Sequence, residues 1–287
     1  MRHYIALTKP RITWLILMST GVGYYFGHRH PWTGWPDVWL LINTIVGTGL
    51  IASGTAALNQ WYEREADQLM RRTAGRPIPS GKLSANRALW FGIVVAAAGF
   101  AELYFGVNRL TGLLGALTLA AYLFVYTPLK QRSHLSTVIG ALPGAMPPLM
   151  GYAASNGALN SEAWTLFAIL FVWQFPHFLA IAWMYREDYA RAGIRMLPVV
   201  EPDGMSTGRQ IVLYASTLIP ISLVPVLLGM SGKIYLIGSL LLGIWFLYTG
   251  VRVAFDRTNA RARSVLLASV IYLPMIYGLM VFDRPSY

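Results

Sequence analysis

Three side chains that carry oxygen, Asn59, Glu63 and Asp67, recur at every fourth position in Ala57-Leu58-Asn59-Gln60-Trp61-Tyr62-Glu63-Arg64-Glu65-Ala66-Asp67-Gln68-Leu69-Met70-Arg71-Arg72-Thr73. On a helix they fan over about 80° and climb about 6 Å per step, which makes one oxygen-rich stripe; Glu65 lies about 200° round from Glu63 and falls outside it. Such donors suit Mg²⁺, a hard ion that keeps waters and takes phosphate oxygens alongside one or two carboxylates. Arg71, Arg72, Arg76 and Lys82 follow within a few residues, and acids with bases close behind them form the pattern of a metal with a phosphate. The competing reading is a solvated helix end laced with Glu and Arg pairs.

A second acidic segment closes the run Phe171-Val172-Trp173-Gln174-Phe175-Pro176-His177-Phe178 through Trp183-Met184-Tyr185-Arg186-Glu187-Asp188-Tyr189. Asp188 is the natural partner of the first stripe if the two helix ends converge. His177 precedes it by 11 residues, about three turns, so on an unbroken helix the two share a face about 16 Å apart. An imidazole inside a bilayer either packs against a hydrogen-bonding neighbour or serves chemistry, for which axial ligation of haem iron is a common use. His3, His28, His30 and His134 fall in termini or loops. Between the two acidic segments, Tyr126-Thr127-Pro128-Leu129-Lys130-Gln131-Arg132 offers Lys130 and Arg132, which read either as topology signals or as phosphate ligands. No Walker loop, Ser-His-Asp set or zinc motif is present, and the absence of cysteine excludes disulfides, thiolate metal sites and a Cys nucleophile.

The elements that must position these groups are membrane helices. Of 287 residues, 55% are hydrophobic and 12% charged, against about 25% charged in a soluble domain. A hydrocarbon core needs about 20 mostly apolar residues per crossing, and nine runs qualify: 12–28, 38–60, 87–107, 110–127, 135–154, 163–184, 209–229, 233–251 and 264–282. Pro143, Pro147 and Pro148 with Gly140, Gly144 and Gly151 predict a kinked or broken fifth span. With nine spans, only Arg29, Arg109, Lys233 and Arg284 fall opposite the N-terminus, leaving 19 of the 23 Lys and Arg on its side. The positive-inside rule then makes the N-terminus cytoplasmic. This sidedness accounts for most of the net charge of +11 without nucleic acid. Carboxylates contribute little to topology, yet Glu63, Glu65, Asp67, Glu187, Asp188, Glu201 and Asp203, seven of the 12, fall in two cytoplasmic segments. The chain reads as all-α and polytopic, one domain over residues 1–287, with a retained first span and no signal or transit peptide. That pattern favours the cytoplasmic (inner) membrane of a prokaryote.

Asn59-x3-Glu63-x3-Asp67 with Met70-x-Arg72-Thr73-x2-Arg76-Pro77 resembles the first aspartate-rich motif of the intramembrane UbiA-type prenyltransferases. Leu7-x-Lys9-Pro10-Arg11, Tyr126-Thr127-x2-Lys130-x-Arg132, the Gly140-to-Gly151 segment, Trp173-Gln174-x-Pro176-His177-Phe178 and Asp188-Tyr189-x2-Ala192-Gly193-Ile194-x-Met196-Leu197-Pro198 look like the protohaem IX farnesyltransferase branch, the haem O synthases. The resemblance covers about residues 5–200; spans 7 to 9 match in hydropathy and number. It implies nine transmembrane helices in a bundle around a central cavity that is capped by cytoplasmic loops. It also implies Mg²⁺ on Asn59, Glu63, Asp67 and Asp188, with Arg72, Arg76, Lys130 and Arg132 on the diphosphate of farnesyl diphosphate. A vinyl group of haem B would attack the farnesyl cation and add water to give haem O. His177 and Arg11 would hold the haem, through iron and a propionate respectively. The product would pass to a haem A synthase or a terminal oxidase. Two positions depart from the superfamily pattern: Glu63 stands where Asp is more frequent, and Met184 stands four before Asp188 where a second acid often lies. The same stripe without His177 would suit a prenyltransferase for a quinone precursor or chlorophyllide. An ion-coupled transporter would place its acids at midplane.

Overall fold

The structure is a computed structural model that describes residues 1–28 and 34–285. Arg29 and His30 lie outside the described residues. Every regular element among the described residues is helical: α1 (Arg2–Leu7), α2 (Pro10–Gly27), α3 (Trp35–Tyr62), α4 (Arg64–Leu69), α5 (Ala85–Ala101), α6 (Arg109–Ala120), α7 (Thr127–Leu129), α8 (Ser136–Gly144), α9 (Met146–Asn156), α10 (Ser161–Met184), α11 (Arg186–Arg191), α12 (Leu197–Val200), α13 (Met205–Leu227), α14 (Lys233–Phe255) and α15 (Asn259–Phe282). α5 and α6 each end in a π-helical turn, Glu102–Val107 and Ala121–Tyr126.

Among the described residues, seven helices are long and apolar enough to cross a membrane: α3, α5 and α6 with their π-helical ends, α10, α13, α14 and α15. The expected spans at 12–28 and 135–154 are not in that set. α2 has 18 residues and opens on Pro10 and Arg11. The 135–154 run is broken into α8 and α9 at Ala145, as its prolines predict. Pro147 and Pro148 lack the N–H groups that a continued α8 would need, so the chain restarts a helix there with its prolines in the first turn.

α10 is the axis of the bundle. Two thirds of its most apolar window is buried, and it packs against α2, α8, α9, α13 and α15. Trp173 donates its indole N–H to the Ser269 carbonyl of α15 (2.9 Å), and Gln174 donates its amide to the Ala141 carbonyl of α8 (3.1 Å). The outer helices turn Trp14, Phe105, Phe124, Leu227, Phe255 and Phe282 outward, a ring of large apolar side chains that a membrane covers.

Without a hydrophobic drive between helices in lipid, close approach comes from small residues. A Cβ on Gly151 of α9 would overlap the Thr20 carbonyl oxygen of α2, and one on Gly23 of α2 would overlap the Pro148 carbonyl oxygen. A Cβ on Gly21 meets nothing within 4 Å. Gly151→Val is therefore expected to destabilise the fold by about 1–3 kcal/mol or more, as overpacking does. Gly21→Ala should be neutral or slightly stabilising through its helix propensity. Thermal melts of the detergent-purified proteins, followed by tryptophan fluorescence, check the contrast.

Candidate active site

α3 carries the first acids to the end of the bundle where α1, α4, α7 and α11 also lie. Its helical geometry bends at Glu63, but the Glu63 amide still bonds the Asn59 carbonyl (2.9 Å) and the Asp67 amide the Glu63 carbonyl (2.8 Å). The i to i+4 connection therefore runs through the joint, and the three residues keep their expected succession. All three are withdrawn from water: Asn59 and Asp67 are 1% and 0% exposed, and the Glu63 side chain is 12% exposed.

Each group has a basic partner. Asp67 Oδ2 takes Nη1 of Arg76 at 2.6 Å, Glu63 Oε1 takes Nζ of Lys130 at 2.8 Å, and Asn59 Oδ1 accepts from Nζ of Lys9 at 3.3 Å. Asn59 also donates to Thr127 Oγ1 (3.3 Å), which in turn donates to the Tyr122 carbonyl within the π-helical turn (2.7 Å). The other oxygen of Asp67, Oδ1, is buried with no hydrogen-bond partner. Leaving such an acceptor unsatisfied costs about 1–3 kcal/mol, more when it is charged.

The two acidic segments converge, as expected. The Arg72 backbone amide donates to Asp188 Oδ2 (3.3 Å), Arg191 pairs with Asp188 Oδ1 and reaches the Leu69 carbonyl, and Ala66, Met70, Ala182, Ala192, Ile194 and Met196 pack as a small core beneath. The route to Asp188 differs from the expected one. α10 stops at Met184, Tyr185 leaves helical geometry, and Arg186 caps the freed Trp183 carbonyl at 2.8 Å. Asp188 therefore sits on the separate α11 and does not share a helix face with His177.

His177 packs between α10 and α15. Its Nδ1 lies 2.7 Å from Ser269 Oγ and its ring stacks on Trp173. It lines neither of the two cavities described below. Arg11 and Arg132 are exposed. Arg72 is exposed as well, but its guanidinium covers the Tyr185 ring at 4.9 Å and donates to the Tyr189 hydroxyl at 3.3 Å. The structure thus gathers Asn59, Glu63, Asp67, Asp188, Arg72, Arg76 and Lys130, and leaves Arg11, Arg132 and His177 outside.

Lys9 is the site residue that the sequence did not reveal as one. It stands between α1 and α2 with φ 48°, the one non-glycine at positive φ among the described residues, immediately before Pro10. A left-handed lysine in front of proline is a strained arrangement, and strain of this kind concentrates at functional sites. Burial, with Arg76 nearby, brings its ammonium down to about 7, opposed by Glu63. Burial works against charge at Glu63 too, yet the ammonium of Lys130 holds that carboxyl below the usual range. Lys130 itself loses by burial and gains more from Glu63, so it stays well above an ordinary lysine.

Two cavities adjoin this cluster. The first, about 140 Å³, runs from Lys9 between α2, α3, α6 and the α8–α9 break, and its walls include Ile16, Ile51, Tyr122 and Met150. Thr48, also on its wall, lies 11 residues before Asn59 on α3, about 16 Å along the axis. The second, about 170 Å³, lies between Tyr126, Thr137, Phe178 and Tyr189 with Arg72 beside it. Tyr122 and Tyr126, one lining each cavity, meet edge to face at 5.0 Å. The π-helical turn places them so, and Gly140 makes room, since a Cβ there would stand 2.5 Å from the Tyr126 ring.

Among the described residues, no three His, Asp or Glu side chains are grouped closely enough to hold a metal alone. The cluster instead fits Mg²⁺ that arrives with phosphate oxygens, because it has a buried carboxylate oxygen without a partner and four cations around it. A charged mouth above an apolar cavity suits a molecule with an anionic head and a hydrocarbon tail.

Residues 16–273 match the UbiA prenyltransferase family. The chain is 66% identical to a protein of Solibacter usitatus named protoheme IX farnesyltransferase, over the whole length of both. It is 47% identical to one of the same name from Koribacter versatilis, over 99% of this chain and 94% of that one. In three dimensions it is similar to a digeranylgeranylglyceryl phosphate synthase (TM-score 0.79, 16% identity, 99% of this chain and 98% of that one). It is also similar to a UbiA homologue of Archaeoglobus fulgidus bound to DMAPP and Mg²⁺ (TM-score 0.64, 15% identity, 97% and 99%). On the length of that match, and on a site whose paired acids and bases stand over an apolar cavity, the chain belongs to the UbiA prenyltransferase family.

Proposed function

We propose that this chain transfers the farnesyl group of farnesyl diphosphate to a vinyl group of haem B, with addition of water, to give haem O and diphosphate. The observation that carries the reading is the unpartnered Asp67 Oδ1 on a carboxylate paired to Arg76, in a cluster whose Lys9 lines the apolar cavity. Asn59, Glu63, Asp67 and Asp188 would hold Mg²⁺, which when bound supplies charge stabilisation to the departing diphosphate. Lys9, Arg76 and Lys130 would turn from their amide and carboxylate partners, and Arg72 from the Tyr189 hydroxyl, to phosphate oxygens, and Arg132 would join them from the loop. The head of the farnesyl chain enters the 140 Å³ cavity, and the ring of Tyr122, with Tyr126 packed against it, shields the allylic cation there. His177 and Arg11 remain the candidate contacts to haem iron and a propionate, and Ser269 sets the orientation of the His177 ring.

The same reading places nine crossings in the cytoplasmic membrane of a prokaryote, with α2 and the α8–α9 pair as the two beyond the seven, and the N-terminus and the charged mouth inside. Its support is the sidedness of Lys and Arg. A haem A synthase or terminal oxidase in the same membrane would receive the product. Purified protein incubated in detergent with Mg²⁺, haem B and farnesyl diphosphate is expected to form haem O. Absence of haem O, together with prenylation of a quinone precursor, overturns the reading.

The deep end of the chain cavity offers a measure of donor length. Gly115 lines it, and a Cβ there would sit 3.1 Å from methyls of Ile51 and Leu103 and 3.4 Å from Met150. Gly115→Leu is expected to shift kcat/KM towards geranyl over farnesyl diphosphate by about tenfold, the scale on which pocket methylenes discriminate. Competition between the two donors reads the ratio.

A further inference from the structure

The second cavity shares no wall residue with the first, and the Tyr122–Tyr126 pair stands between them. A donor chain held on the Tyr122 side presents its reactive carbon at this aromatic partition. The acceptor then has to approach from the Tyr126 side. There the walls are mainly apolar, including Phe178 and Ile181, and exposed Arg72 stands beside the opening with its guanidinium bonded to Tyr189. One hydroxyl in this chamber is out of place by ordinary packing rules. Thr137 is 9% exposed, and its Oγ1 is buried with no hydrogen-bond partner. It does not bond back to its own helix, as buried threonines of α3 and α10 do. A buried hydroxyl left in this state costs about 1–3 kcal/mol and gains only when a polar ligand arrives.

We propose that this chamber takes the reacting edge of a flat, largely apolar acceptor, and that Thr137 is a catalytic residue whose hydroxyl holds the water that adds to it. The inference rests on the farnesyl transfer proposed above. The C1–O bond of the donor breaks and its electron pair leaves on diphosphate. The π pair of the acceptor's vinyl group then forms the new C–C bond, which moves the positive charge to the vinyl carbon next to the ring. The water oxygen, held by Thr137, closes on that carbon, and its proton leaves to the diphosphate oxygens. Without a held water the same cation sheds a neighbouring proton and gives an alkene, lighter than the hydroxylated product by one water.

The test uses the full-length protein in detergent with Mg²⁺, haem B and farnesyl diphosphate. Diphosphate release is followed in parallel with mass analysis of the porphyrin products. Thr137→Val, which keeps the shape and removes the hydroxyl, is expected to keep releasing diphosphate while the ratio of alkene to hydroxylated product rises by about tenfold or more, the factor that one lost hydrogen bond to the water is worth. Thr137→Ser is expected to restore the wild-type ratio, and Thr137→Ala to shift it as Thr137→Val does. Removing an unpartnered hydroxyl should also leave the melting temperature of Thr137→Val equal to or above that of the wild type. Hydroxylated product in the wild-type proportion from Thr137→Val or Thr137→Ala, at whatever rate, overturns the role of Thr137. Failure of the wild-type protein to make haem O overturns the transfer reaction beneath it, so the two failures are told apart.

Discussion

Asp67→Asn is expected to lower turnover by roughly 10²–10³, the loss seen when one preorganised group that stabilises transition-state charge is removed. Asp67 is fully buried in the first turn of α4, with Oδ2 on Arg76 and Oδ1 on nothing. An amide in its place keeps the size but loses the negative charge that a divalent cation requires, and it leaves the guanidinium of Arg76 without its counter-charge. The loss should fall on the step that expels diphosphate, so single-turnover diphosphate release slows as much as haem O formation does. Raising Mg²⁺ should recover part of it. Circular dichroism and a thermal melt of the same preparation separate this from unfolding. Full turnover by Asp67→Asn would remove the metal assignment.

Lys130→Met should cost a comparable factor and carry a signature in pH. Burial pushes the Glu63 carboxyl up, and the Lys130 ammonium at 2.8 Å, aided by Lys9 and Arg76, brings it below its ordinary value. Removing the ammonium leaves the burial in place, so the carboxyl of Glu63 rises and takes up a proton at a higher pH than in the wild type. The acid limb of kcat/KM against pH therefore moves to higher pH, and activity falls sooner as the medium is acidified. The stability that Glu63 gains from its depressed value, present above the unfolded carboxylate range and lost as pH falls through the folded value, shrinks in the same variant. Lys130→Arg should recover part of the rate and most of the profile, since a guanidinium keeps the charge with a different reach. An acid limb unchanged in Lys130→Met would show that Glu63 is not the group that titrates.

The acidic stripe was legible because three residues at i to i+4 spacing are positioned by the helix alone, and the geometry survives the bend at Glu63. The break in the fifth span was legible for the same local reason, since Pro147 and Pro148 cannot donate. Convergence of Asp188 on the stripe could be expected from charge clustering. Its route could not, because Tyr185 carries no breaker signal and the turn is fixed by the cap that Arg186 places on Trp183. Lys9 was hidden for a different reason. Its position depends on a left-handed backbone before Pro10 and on burial against α3, and neither leaves a pattern in composition or period. The direction of His177 depends on a partner 92 residues away in α15, a helix that none of the motifs read from the sequence reaches.

The pairing of each acid with its own base has a consequence for what the mouth will accept. Glu63 with Lys130, Asp67 with Arg76 and Asp188 with Arg191 are three balanced pairs, to which Lys9 and Arg72 add further positive charge. Beyond the one unpartnered oxygen of Asp67, a bare divalent cation gains carboxylates by setting ammonium and guanidinium groups adrift in a poorly hydrated place, and a bare pyrophosphate strands carboxylates in the same way. A cation and an anion that enter as one body offer partners to the carboxylates and to the bases together, so neither set of protein charges is stranded. The cluster acts as a coincidence detector: it discriminates against either half of the metallated donor, and free diphosphate is a weak competitor once its metal has been stripped away.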